Sequence, residues 1–190
     1  MSTPVLHVIA GPNGAGKSTF QRSVLAPSTL EFVNADRIAA RLWPGTEPAH
    51  AYDAARLAEQ RRDELLSERT AFVAGTVFSH ESKVDFVRRA SRAGYVVVLH
   101  IVAVSVELAV ERVRHRVAHG GHSVPENKAR SRHRRLWSHI AQAARIVDET
   151  IVYDNSSAQS PYRIVATYRA GTVVGLPTWP AWAPDELVNL

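Results

Sequence analysis

The chain reads as an α/β fold, a central, mostly parallel sheet flanked by helices and followed by a C-terminal β-hairpin and tail. Short apolar, β-branched runs alternate with stretches of helical periodicity, the pattern of a parallel sheet wrapped by helices. One run, Tyr95–Val104, is ten residues long, nearly all apolar and largely β-branched, as a strand buried on both faces requires. The octet Gly11-Pro12-Asn13-Gly14-Ala15-Gly16-Lys17-Ser18 fits G-x-x-x-x-G-K-[ST], the phosphate-binding loop. It stands between an apolar run and a helical stretch, the setting that separates such a loop from a chance match.

The elements follow in order. Val5–Ala10 is the first strand, and Lys17 to Leu25 the helix that the loop opens. Leu30–Asn34 reads as a short second strand. A helix from about Pro48 to Glu68 is rich in Ala, Leu, Arg and Glu, with Thr46 as N-cap and Pro48 in its first turn. Ala71–Ala74 reads as the third strand. Ser79 is placed to cap a helix running to Ala93, and Gly94 to stop it. After the strong strand, Ser105 caps a helix from Val106 to about Ala118, which Gly120-Gly121 breaks. Ser123-x-x-Glu126 is a capping-box pattern with Pro125 in the first turn, so a further helix runs to about Arg145. Thr150–Tyr153 is another strand, and Tyr162–Thr167 with Thr172–Val174 forms a hairpin across Ala170-Gly171. The tail from Pro177 to Leu190 carries Trp179 and Trp182 and is expected to pack over the surface. No repeat or linker divides the chain, so residues 1–190 are read as one domain, with a lid region at about 106–135 and the hairpin and tail at about 160–190.

Composition narrows the function class. Apolar residues make up 45% and charged residues 22%, ordinary for a globular protein. There is no cysteine, which excludes disulfides, thiolate metal sites and a cysteine nucleophile. No apolar run approaches the ~20 residues of a membrane helix. The strand starting at Val5 leaves no room for a signal peptide, so a cytoplasmic location is the default expectation. The formal charge is +5. Its excess is concentrated between Arg112 and Arg135, where Arg112, Arg114, Arg116, Lys128, Arg130, Arg132, Arg134 and Arg135 face only Glu126. Such a block attracts phosphates. The plainer role for some of these arginines is a solvated helical face. Nucleic acid is disfavoured, because the block has no aromatic interleaving.

The loop chemistry is specific. Gly11, Gly14 and Gly16 let backbone N–H groups turn toward phosphate oxygens, and the helix N-terminus adds partial positive charge. Lys17 reaches the β- and γ-phosphates, and the Ser18 hydroxyl can ligate Mg²⁺. The fold class is therefore a P-loop NTPase that binds ATP or GTP with Mg²⁺. A kinase also needs a group for the acceptor hydroxyl and positive charge on the transferring phosphoryl group. Asp36 follows the second strand, at the sheet edge that lines the ligand crevice. It either meets an acceptor hydroxyl there or simply caps the helix Arg37–Leu42. Arg112 and Arg116 lie one turn apart and suit a lid over the triphosphate, or else pair with Glu111 or Glu107 on the surface. His100 inside the strong strand reads as a satisfied core residue. His119 and His122 lack carboxylate or cysteine partners, which argues against a metal there.

Four segments then become familiar together. Val33-Asn34-Ala35-Asp36, Thr76-Val77-Phe78-Ser79-His80-x-x-Lys83, Arg112-Val113-x-x-Arg116-Val117-x-x-Gly120-Gly121-His122-x-Val124-Pro125 and Tyr153-Asp154-Asn155-Ser156 resemble the zeta toxin family of P-loop kinases, over about residues 4 to 157. The resemblance implies phosphorylation of a sugar hydroxyl of UDP-N-acetylglucosamine, and a possible small helical antitoxin as partner. It implies that Gly11, Pro12, Asn13, Gly14, Ala15, Gly16, Lys17, Ser18 and Thr19 bind the nucleotide, with Asn155 near its far end. Asp36 is then the general base, and Arg116 clamps the phosphates with Arg112 or Arg132 assisting. Asn34, Gly75, Thr76, Ser79, His122 and Arg132 then belong to the substrate site.

One position departs from the family. Its members usually carry a glutamate beside the threonine after the third strand, where this chain has Ala74-Gly75-Thr76. Losing an oriented contact of that kind costs of order 10²–10³ in rate. Either the acceptor differs or Gly75 disables the site, and on the second view Gly75→Glu raises transfer to UDP-N-acetylglucosamine. Two other readings stand beside the sugar-nucleotide kinase. One is a kinase for another small molecule or a nucleic-acid end; the other is a nucleotide-binding protein without turnover.

Overall fold

The computed structural model describes residues 3–25, 29–118 and 125–190. Among them seven strands form one sheet in the order β2-β3-β1-β4-β5-β6-β7. These are β1 (Val5–Ala10), β2 (Glu31–Asn34), β3 (Phe72–Thr76), β4 (Val96–Ala103), β5 (Glu149–Asp154), β6 (Arg163–Arg169) and β7 (Thr172–Val173). The first five are mutually parallel, and β6 and β7 add an antiparallel edge. The α/β P-loop expectation therefore holds. The helices are α1 (Lys17–Ser23), α2 (Ala35–Leu42), α3 (Ala51–Ser67), α4 (Ser82–Arg92), α5 (Val106–Ala118), α6 (Glu126–Ala144) and α7 (Asp185–Val188).

The period of two along the strands splits the core in two. Leu6, Val8 and Ala10 of β1, with Val97, Leu99 and Ile101 of β4, pack against α3, α4 and α6. Ile9, Val73 and Val102 point to the other face, toward Phe20 of α1 and Ala109 of α5. Phe20 is fully buried, with ring centroids 4.7 Å from Tyr153, 5.2 Å from Tyr162 and 5.5 Å from His100. This cluster pins the helix that opens the phosphate loop; replacing such a ring by alanine costs about 3–5 kcal/mol. His100 is a satisfied core residue: its Nε2 lies 3.0 Å from His7 Nδ1 and its Nδ1 3.2 Å from the Tyr153 hydroxyl.

Because the chain leaves β1 for β2 on one side and β3 for β4 on the other, the crossover connections from these two parallel neighbours run in opposite directions. A crevice opens there at the carboxyl ends of the strands. Register fixes its mouth: Ala10 sits beside Thr76, Ile9 beside Gly75, and Asn34 beside Gly75.

Several boundaries differ from the sequence reading. α3 begins at Ala51 with His50 at the N-cap, not at Pro48 behind a Thr46 cap. Trp43 stacks on His50 with centroids 4.5 Å apart, and consecutive turns carry residues 46–50. Ser79 does not cap α4, which starts at Ser82 behind Glu81. Asp36 does not cap α2: Asn34 Oδ1 accepts from the Arg37 N–H at 3.0 Å instead. The tail is not merely a surface layer. Leu187 of α7 is fully buried, and Trp179 and Trp182 pack on the same core. Ser105 does cap α5, accepting from the Leu108 N–H at 3.3 Å. Gly94, at φ 77°, ends α4. Ser123, His119, Gly120, Gly121 and His122 lie outside the described residues.

Candidate active site

The crevice is a cleft of about 890 Å³ that gathers most of the singled-out residues. Its near wall is the phosphate loop, from Asn13 to Thr19. Two loop glycines are needed where they stand. Gly11 has φ 147°, and a Cβ on it would sit 2.2 Å from the Val102 carbonyl oxygen. Gly14 has φ 81°, and a Cβ there would sit 2.4 Å from the Ala109 carbonyl oxygen. The loop thus runs too close to β4 and α5 to carry side chains at these positions.

Lys17 folds back over the loop and donates to the carbonyls of Gly11 and Pro12, both at 2.9 Å. Desolvation holds its pKa down to about 8; the Asp36 carboxylate pulls it upward and Arg116 pushes it further down. Lys17, Asp36 and Arg116 are therefore within electrostatic reach of one another. An approaching polyphosphate would replace the poor solvation of Lys17 with direct charge pairing.

The loop is braced from behind. Asn155, 8% exposed, donates from Nδ2 to the Ala15 carbonyl at 2.8 Å. Its own carbonyl accepts from Arg112 Nη1 at 2.9 Å. The Tyr162 hydroxyl donates to the Gly16 carbonyl at 3.2 Å. Asn155 is thus a strut between the phosphate loop and α5, and it is not part of the cleft lining. Arg112 reaches Asn155 rather than Glu111 or Glu107; Glu107 lies 4.0 Å from Arg130 instead. Arg112 also lines the cleft, with Arg116 from α5 and Arg132 from α6. Glu126 holds Arg114 and Arg130, and Arg114, Arg134 and Arg135 are exposed, so these belong to the solvated part of the basic block.

The far wall comes from the ends of β2 and β3. Asn34, 7% exposed, caps α2 with its oxygen and donates from Nδ2 to the Gly75 carbonyl at 3.2 Å. One side chain thereby ties β2, α2 and β3 together and sets where Asp36 emerges, in the first turn of α2. Thr76 Oγ1 accepts from the Phe78 N–H at 3.3 Å, and buried Phe78 has φ 66°. A large side chain in that backbone region costs of order 1–3 kcal/mol, the kind of strain kept where geometry matters. Ser79 lies beside it in the lining.

Gly75 is not an open position. A Cβ built there meets the Phe32 ring at 2.7 and 2.8 Å and Asn34 Nδ2 at 3.0 Å. The ring from β2 occupies the room an acidic side chain would need, and Arg37 lies 5.5 Å above its centroid. Gly75→Glu therefore does more than restore a carboxylate; it must displace Phe32.

Sequence reasoning missed Arg62 of α3 and the role of Lys83 of α4, both of which line the cleft. The signal for Arg62 was its place in the stripe Ala51, Ala55, Ala58, Arg62, a cation on the inward face of a helix. Among the described residues no group of three or more His, Cys, Asp or Glu is placed to hold a metal. Ser18 stands at the head of α1 and lines the cleft.

Comparison with known proteins agrees with this architecture. A family model described as AAA domain matches residues 6–139. No curated protein matches the chain. Among solved structures, the AvrRxo1-ORF1:AvrRxo1-ORF2 complex with sulphate ions aligns with TM-score 0.71 at 15% identity, covering 90% of this chain and 60% of that one. The same complex with ATP aligns with TM-score 0.59 at 15% identity, with the same two coverages of 90% and 60%. The PezAT chromosomal toxin-antitoxin system of Streptococcus pneumoniae aligns with TM-score 0.62 at 14% identity, covering 88% of this chain and 72% of that one. This chain thus spans less than two thirds of the AvrRxo1 chain. At these identities the likeness is one of fold.

Proposed function

The chain belongs to the AAA domain family, and on that footing we propose that it is a kinase transferring the γ-phosphate of ATP or GTP to a hydroxyl of a small molecule. The observation that carries this reading is one cleft holding Lys17, Asp36, Arg112 and Arg116 together, with Asp36 as the carboxylate of its lining. The phosphate loop and Lys17 bind the donor, with Ser18 as the ligand for Mg²⁺. When bound, Mg²⁺ neutralises charge on the triphosphate. Asp36 orients the acceptor hydroxyl and takes its proton as the oxygen attacks the γ-phosphorus. The bond from that phosphorus to the bridging oxygen breaks, and the nucleoside diphosphate leaves. Arg116 and Arg112 stabilise charge on the phosphoryl group in flight. Asn34 is a positioning residue that fixes the turn carrying Asp36.

The finer reading names the acceptor as UDP-N-acetylglucosamine, with Thr76 and Ser79 beside the sugar and an antitoxin as possible partner. Its support is the order and spacing of the motifs and the fold likeness to PezAT. A second reading, another small-molecule alcohol, is favoured by one observation: Phe32 fills the room at Gly75 where the family acid would stand. Transfer of label from γ-labelled ATP or GTP to a panel of acceptors, including UDP-N-acetylglucosamine, tests both. Transfer lost in Lys17→Ala supports the kinase, and the identity of the labelled acceptor separates the two readings. No transfer to any acceptor would overturn the proposal.

A further inference from the structure

Arg62 is 5% exposed, yet its guanidinium opens onto the cleft. It lies over the face of Phe86, whose ring centroid is 5.2 Å from the guanidinium carbon. Among the described residues no hydrogen-bond acceptor is paired with it. The neighbouring Asp63 is 3.0 Å from Arg89, and Glu59 is exposed. Lys83 reaches the same part of the cleft from the first turn of α4 and is half-buried.

A guanidinium removed from water without a partner is costly, and a second cation beside it adds repulsion. Desolvation lowers the pKa of both groups and Arg62 pushes Lys83 down further, while Glu59 offsets part of both shifts and Asp63 part of that on Arg62. Hydrophobic packing does not require this arrangement, since Ala51, Ala55 and Ala58 continue the same helical face with small side chains. Those alanines leave room along α3 for a ligand that ends at Arg62. The donor does not account for the pair. Lys17 and Arg112 serve the phosphate loop from α1 and α5, on the sheet face opposite the core of α3 and α4. The cleft thus has a second pair of cations, apart from those that serve the phosphate loop.

We propose that Arg62 and Lys83 form an anion subsite for the acceptor, holding a phosphate or carboxylate of the molecule whose hydroxyl reaches Asp36. The inference rests on the kinase reading for the word acceptor, but not for the subsite itself. It makes the substrate class an anion-bearing alcohol. A planar guanidinium offers paired donors to either oxyanion, and Lys83 supplies a second charge.

The test uses the full chain with its donor site saturated by a non-hydrolysable ATP analogue and Mg²⁺, so that the phosphate loop is covered. Inorganic phosphate, and acetate in parallel, are titrated calorimetrically into wild type, Arg62→Gln, Arg62→Lys and Lys83→Gln. The expected result is phosphate or acetate binding to wild type that weakens about tenfold to a hundredfold in Arg62→Gln and Lys83→Gln. Arg62→Lys should recover part of the loss, and the analogue should bind all four proteins alike. Whichever probe binds tells a phosphorylated acceptor from a carboxylated one. Lys83 is half-buried, so Lys83→Gln remains informative if the Arg62 variants fold poorly. Equal anion affinity in wild type and Lys83→Gln, or no anion binding to wild type, overturns the subsite. Failure of phosphate transfer to every acceptor with the anion effect intact overturns the kinase reading and leaves the subsite standing.

Discussion

The packing of Phe32 over Gly75 makes a double-substitution prediction that separates a co-adapted pair from a chance gap. In Gly75→Ala the new methyl carbon sits 2.7 and 2.8 Å from the ring and 3.0 Å from Asn34 Nδ2, all inside contact distance. Asn34 is held at both ends, by the Arg37 N–H and the Gly75 carbonyl, so it yields little. Overpacking of this kind costs about 1–3 kcal/mol. For a chain of this size each kcal/mol lowers Tm by about 2–4 °C, so Gly75→Ala should melt about 4–8 °C lower at the middle of that range. Phe32→Ala removes a half-buried ring and costs about 1–2 kcal/mol by itself. With the ring gone, most of the clash is gone, and the two changes together should fall short of their sum by about 1–2 kcal/mol. Urea unfolding with unchanged slopes measures each term. Additivity, or a Gly75→Ala protein as stable as wild type, would refute the packing argument. The same reasoning predicts that Gly75→Glu is destabilised and that Phe32→Ala/Gly75→Glu is less destabilised than the sum of its two single changes.

Further outcomes follow from the braces and the titrating groups. Because the ammonium form of Lys17 binds phosphate and its pKa is held down to about 8, nucleotide affinity should fall as pH rises from 7.5 to 9.5, with proton uptake on binding; calorimetry in buffers of different ionisation enthalpy reads that uptake, and a pH-independent affinity would count against it. Asn155→Ala frees the Ala15 carbonyl while Arg112 keeps its bond to the backbone carbonyl of residue 155, and should weaken nucleotide binding about tenfold through loss of a buried hydrogen bond. His100 is held neutral, its pKa pushed down to about 3 by desolvation and then by His7. The unfolded chain therefore binds the extra proton below about pH 6.5, and stability should fall by up to ~1.4 kcal/mol per pH unit between pH 6 and 5. His100→Gln should remove most of that slope in urea titrations at the two pH values.

What could be read from the sequence was local. The strand Val5–Ala10, the loop behind it, the Ser105 cap and the Gly94 stop each depend on a few neighbouring residues and their backbone needs. What could not be read depends on which residues meet across the fold. Thr46 and Pro48 carry ordinary helix-start signals, but the Trp43–His50 stack holds that segment as turns. Asn34 and Asp36 compete for one capping role, and the deciding contact is Gly75, distant in sequence. Arg61 and Arg62 are adjacent and chemically alike. One pairs with Glu31 on the surface at 2.8 Å and the other turns inward, a difference set by the docking of α3 on the sheet. Leu187 belongs to a Trp-bearing tail read as packing over the surface, and only the fold gives it a core to enter.

The most direct test of the central claim is phosphate transfer by wild type, Lys17→Ala and Asp36→Asn from γ-labelled ATP and GTP to an acceptor panel of anion-bearing and neutral alcohols. The account predicts label on an anion-bearing alcohol, lost in Lys17→Ala and reduced about 10²–10⁴-fold in Asp36→Asn, with nucleotide binding retained by the latter. No label transferred by wild type, or transfer by Asp36→Asn at the wild-type rate, would contradict it.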